Sequence, residues 1–144
     1  MTGSDEVGAG WRGLVDAWGT RKGWRTHEDG AAVSLESEIP GSTRTLTLRF
    51  TTARNLLVAF ATDGRVLKHD ELATAAAAAN AWNTEQLVPM LAVWDVRGPS
   101  PCLAGVCSLP LNCHMDVGEF AQVADEWLKQ ARQMFLRCQQ VFQL

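Results

Sequence analysis

The sequence contains no tyrosine, no cluster of Lys and Arg, and no apolar run of membrane-spanning length. Runs such as Ala75–Ala79 are far shorter than the roughly 20 residues that a helix needs to cross a bilayer. Membrane insertion is therefore not expected. The 13 basic and 16 acidic side chains are spread along the chain and leave a net charge of -3, without the basic footprint that phosphate contacts require. Nucleic acid is a poor partner on this count. Met1–Gly10 carry Asp5 and Glu6 but neither a basic start nor an apolar stretch, so no secretory signal is expected. The chain is expected to stay in the cytoplasm, where the four cysteines would remain free thiols.

Familiar catalytic fingerprints are missing too. There is no Gly-x-Ser-x-Gly elbow, no phosphate-binding loop and no dinucleotide fingerprint, since Gly8-Ala9-Gly10 follows no strand and lacks the third glycine. Cys102, Cys107, Cys113 and His114 form the one cluster of metal-ligand type, but their spacings are not those of structural zinc sites. If Cys102 and Cys107 share a strand, their odd separation points them to opposite faces. Cys113 and His114 are adjacent, and neighbouring residues rarely turn their side chains toward each other. His27 and His69 lie in polar loop contexts. The sequence thus supports no catalytic residue, no metal ligand and no cofactor, and the cysteines read as small buried apolar groups. A cysteine- or metal-dependent enzyme is the weakest of the functional alternatives.

What is present is the composition of one globular domain over residues 1–144, with 47% apolar and 20% charged residues. A chain of this length buries about two-thirds of its unfolded surface. Val7, Trp11, Leu14, Val15 and Trp18 recur at helical spacing, with Ser4 expected as the cap, Asp5 and Glu6 in the first turn, and Gly19 and Gly23 marking the end. From Trp24 to Val66 the period becomes two. Val33 and Leu35, then Leu46, Leu48 and Phe50, then the apolar run Leu56–Ala61 predict a three-strand antiparallel meander. Asp70 is expected to cap an Ala-rich helix running to about Trp82. Met90–Val96 and Cys102–Leu109 predict a second hairpin, joined through the Pro- and Gly-containing segment 97–101. Asp116 and Glu119 have the spacing of a capping box ahead of a long helix. Its stripe comprises Phe120, Ala124, Trp127, Leu128, Ala131, Met134, Phe135 and Cys138. The expected fold is α+β, in the order α-β-β-β-α-β-β-α, with one antiparallel sheet flanked by helices.

The segment Asn80-Ala81-Trp82-Asn83, between the central helix and a strand, resembles the Asn-x-x-Asn signature of the bacterial YbjN-like proteins, a family of proposed sensory transduction regulators. The order of elements agrees over roughly Trp11 to Val141. The resemblance implies a fold similar to type III secretion chaperones, often homodimeric, which hold extended or partly unfolded partner segments in apolar grooves. It implies binding and no known chemistry. The Ala75–Ala79 run and the Cys-rich final hairpin lie outside that signature. Read from the residues alone, Asn80 and Asn83 are expected to serve a helix cap or a local hydrogen bond.

The reading that follows is a non-catalytic, chaperone-like adaptor or regulator for a protein or peptide, expected as a homodimer. An accessory subunit of a biosynthetic or peptide-modifying complex is the alternative. Six tryptophans and two long amphipathic helices supply more apolar surface than a small domain easily hides. Trp82, Leu91, Val93 and Trp94 are the expected partner contacts, and backbone pairing at a free sheet edge is one expected mode.

Overall fold

In the computed structural model, which describes residues 5–144, the chain opens with a short strand, β1 (Asp5–Glu6), and the first helix, α1 (Val7–Lys22). The whole predicted stripe of α1, from Val7 to Trp18, is buried. Its start differs from expectation. Asp5 and Glu6 are extended and pair with β8 (His114–Met115), so they stand outside the first turn, and Ser4 lies outside the described residues. The helix stops at Gly23, whose φ of 75° is the left-handed conformation that glycine reaches without a Cβ clash. Gly19, by contrast, does not end the helix. It lies inside it, where an added Cβ would sit 2.7 Å from Leu35 Cδ2, so its small size lets α1 approach the sheet.

That sheet has six antiparallel strands rather than the five predicted. They are β2 (Thr26–Asp29), β3 (Ala32–Glu38), β4 (Thr45–Ala53), β5 (Leu56–Thr62), β6 (Met90–Trp94) and β7 (Cys102–Pro110), in the order β2-β3-β4-β5-β7-β6. The unpredicted strand is β2, whose sequence Thr-His-Glu-Asp has no apolar alternation. It is an edge strand held by its ladder to β3, with Thr26 opposite Leu35 and Asp29 opposite Ala32. Pairing alone makes it a strand.

The ladders align Leu35, Leu48, Ala61, Gly105 and Leu91 in one row across five strands, all on one face. Helices pack on that face. Phe50 of β4 meets Trp18 of α1 at 6.2 Å between ring centroids and Phe120 of α3 (Val117–Phe142), also at 6.2 Å. At Gly105 an added Cβ would sit 2.7 Å from Met134 Cε, so the missing side chain is what seats α3 closely on β7. The capping box of α3 forms as predicted. Glu119 N–H donates to Asp116 Oδ1 at 2.8 Å, and Asp116 N–H donates to Glu119 Oε1 at 3.2 Å. All eight residues of its predicted stripe are buried.

The central helix begins differently. A short 3-10 turn at His69–Glu71 precedes α2 (Leu72–Glu85), and Asp70 does not cap it. Glu71 instead accepts the Lys68 N–H at 2.8 Å, the capping-box bond of the 3-10 turn, while holding Arg65 in an ion pair, and α2 itself has no side-chain cap. Those hydrogen bonds, the Arg65 one foremost, keep the Glu71 carboxyl below its usual value. The helix also runs past Trp82 to Glu85. Asn80 and Asn83 are consequently inside it and not at its end.

Candidate protein-docking surfaces

Seven large apolar side chains are well exposed among the described residues, and five of them fall within residues 87–96: Leu87, Val88, Met90, Trp94 and Val96. Leu87 is 94% exposed. This segment covers the end of the loop after α2, the edge strand β6 and the turn that follows it. It borders two apolar surfaces, one on each side of the sheet.

The first is the sheet face turned away from the helices. Strand registers place Met90, Val106 and Phe60 in one row, and Ala92 beside Ala104 in the next. Trp94 lies opposite Cys102, and its ring meets Phe60 edge-on at 5.0 Å. Across β5, β7 and β6 this face is mostly apolar, with Thr62 and Ser108 as its polar members. Across β3 and β4 the same face carries Glu36, Glu38, Thr45, Thr47 and Arg49, the polar side expected of a half-covered sheet. No helix of the described residues covers the apolar half.

The second is an open groove of about 640 Å³ between α3 and the loop after α2. Leu87 and Val88 form one wall, Val123 and Trp127 the other, and Glu85 and Glu126 stand with three glutamines around them. Glu85 is engaged by Arg137 at 2.6 Å, a hydrogen bond that holds its carboxyl below the usual value. Glu126 accepts from Gln130 Nε2 and has no cationic partner among the described residues.

The four residues expected to make contacts are divided by the fold. Trp94 is exposed and Val93 is half-buried against the core. Trp82 and Leu91 are core residues, 4% and 2% exposed, and offer no surface to a partner. Trp82 donates from Nε1 to the Pro89 carbonyl at 2.8 Å, which anchors the loop carrying Leu87 and Val88. Its ring is closed to a partner, and its part is to fix that loop. Leu87, Val88, Met90 and Phe60 were missed. The available signal was the apolar pair Leu87-Val88 inside an otherwise polar turn.

Asn83 also has a defined role. Its Nδ2 donates to the Leu91 carbonyl and its Oδ1 accepts the Leu91 N–H, both at 2.8 Å. Leu91 lies on the edge strand β6, so the side-chain amide takes the place of a neighbouring strand there. Backbone pairing of a guest strand is blocked at that residue. Asn80 is exposed, and its carbonyl accepts from Thr84 Oγ1. The local hydrogen bond is present at Asn83, but the expected cap is not.

The cysteines and histidines do not gather. Burial pushes the Cys107 thiol up to about 12 and the Cys138 thiol up to about 11, and raises Cys102 as well, with Asp63 and Asp95 adding repulsion there. A nucleophilic thiol needs the opposite shift. Among the described residues, no three of His, Cys, Asp and Glu are grouped as a metal site requires. No helix of the described residues is long and apolar enough to cross a membrane.

These features define a class: an α+β protein with its helices on one face of an antiparallel sheet and an apolar region bared on the other. No protein-family profile and no curated protein sequence matches the chain. Among solved structures, the crystal structure of YbjN, a proposed transcription regulator from E. coli, superposes with a TM-score of 0.72. The two are 18% identical, and the match covers 93% of this chain and 94% of that one. The chain has the YbjN fold.

Proposed function

We propose that this chain is a non-catalytic, chaperone-like adaptor or regulator that binds a protein or peptide and pairs as a homodimer through the bared half of its sheet. The observation that carries the reading is the concentration of exposed apolar side chains in residues 87–96, against a core that is otherwise well covered. Apolar area left in water forgoes about 25 cal/mol per Å², so a surface of this kind is stabilised by a cover. For the sheet face, the fitting cover is a second copy. The patch around Phe60, Val106 and Trp94 carries a single charge, Arg49 at its border beside Phe60, and a two-fold axis brings the same patch opposite itself. Two such faces pack about 10 Å apart with interleaved side chains.

The comparison structure supports a regulatory role only through its fold. A net charge of -3 without a basic cluster favours protein contact over nucleic acid. Sedimentation of the purified chain tests the dimer. The wild type is expected to sediment as a dimer at micromolar concentration, and Phe60→Ser/Trp94→Ser as a folded monomer. A monomeric wild type at high micromolar concentration would remove the pairing from the proposal.

A further inference from the structure

We infer that the groove between α3 and residues 85–88 is a second docking site, and that its occupant is a short amphipathic helix with apolar anchors and a basic flank. The inference deepens the adaptor reading and rests on it, but it uses a surface separate from the sheet face. Three observations select this occupant.

The groove walls are apolar, with Leu87 and Val88 facing Val123 and Trp127 across an open trough. The wall on α3 runs from Gln122 to Gln130, about 12 Å at 1.5 Å per residue. That is two helical turns of contact, which takes anchors at positions i, i+3 or i+4, and i+7 of a partner helix.

An extended strand is a poor fit, because its backbone N–H and C=O groups need partners. The nearest strand edge is β6, and at Leu91 Asn83 already holds both backbone groups. A helix brings its own backbone bonds and asks only for side-chain contacts.

Charge sets the flank. The groove is lined by two carboxylates and no Lys or Arg. Arg137 engages Glu85, whereas Glu126 faces solvent without a counter-ion among the described residues. A Lys or Arg beside the apolar stripe of the guest supplies it.

Three fluorescein-labelled peptides test this by anisotropy: a helical peptide with a Leu stripe and a Lys-rich opposite face, the same peptide with Glu for Lys, and a scrambled Lys peptide without the stripe. The striped Lys peptide is expected to bind, the scrambled peptide at least about tenfold more weakly, the scale set by losing one buried Leu contact, and the Glu peptide more weakly by the smaller factor that an exposed charge pair carries. Leu87→Ser, at a position too exposed to disturb folding, is expected to weaken binding about tenfold. Glu126→Lys is expected to reverse the preference from the Lys to the Glu peptide, most clearly at low salt. Trp94→Ser, on the opposite side of the sheet, is expected to leave binding unchanged. If Leu87→Ser and Glu126→Lys bind as the wild type does while Trp94→Ser does not, the groove is the wrong site and the adaptor reading stands. If no peptide binds, the groove proposal falls. The adaptor reading falls with it only if the wild type also sediments as a monomer.

Discussion

Two faces of the same strands behave differently here. On the helix-covered face, Leu35, Leu48, Ala61, Gly105 and Leu91 make an unbroken buried row. On the other face the parallel row runs Ser34, Arg49, Phe60, Val106 and Met90, passing from polar to apolar between β4 and β5. Strands β3 and β4 alternate as strands with one wet side do. Strands β5, β7 and β6 carry apolar residues on both sides, the composition of strands covered twice. One cover is the helix layer. The other is absent among the described residues, so pattern and coverage disagree on this half of the sheet.

The contrast can be broken most severely on the covered face. Phe120→Ala removes a fully buried ring that packs against Phe50, and should cost about 3–5 kcal/mol in denaturant unfolding. A loss below about 1 kcal/mol would mean that the helix layer is far looser than its burial indicates. Asn83→Leu comes next. It frees both backbone groups of Leu91, costs about 1–2 kcal/mol for two hydrogen bonds, and should remove hydrogen-exchange protection at the Leu91 amide. An unchanged Leu91 exchange rate would show that the edge is not held by this side chain.

On the open face, Trp94→Ser should change stability by less than about 1 kcal/mol measured as a monomer, since the ring is 45% exposed and loses chiefly its edge contact with Phe60. A larger loss would make Trp94 part of the core and erase the difference between the faces.

The smallest effect belongs to Asp125, which bridges Lys22 at 2.6 Å and accepts from Trp18 Nε1 at 3.0 Å. Burial acts to raise its carboxyl, but the hydrogen bonds from Lys22 and Trp18 outweigh it and leave the value lowered. A lowered folded value means that the contribution is complete above the ordinary 3.8 and fades as pH falls through the folded value. The side chain is 47% exposed, so the discounted size is a few tenths of a kcal/mol. Asp125→Asn should therefore lower stability by those few tenths of a kcal/mol at neutral pH, a difference that vanishes as pH falls through the folded value. A steep change at neutral pH would contradict that size.

Local pattern accounts for what could be read in advance. The stripes of α1 and α3, the Asp116–Glu119 box, and the alternation of β3 and β4 each depend on residues a few positions apart, so the chain alone determines them. The same holds for the helical character of the Ala-rich segment, since Ala loses little on entering a helix. The apolar runs of β5, β6 and β7 showed that strands existed there but not which face would be covered. A run without alternation carries no such information.

The tertiary structure decided the remainder, because the deciding partners are distant in sequence or set by packing. Strand β2 exists through its ladder to β3, and Gly19 is spent on closeness to Leu35. Trp82 and Trp94 look equally suited to an interface in sequence, yet one is sealed beneath the 85–88 loop by its bond to Pro89 and the other is left on the open sheet. Residue type specified how much apolar surface the chain must place. Only the packing of helices on a single side of the sheet determined where the surplus would lie.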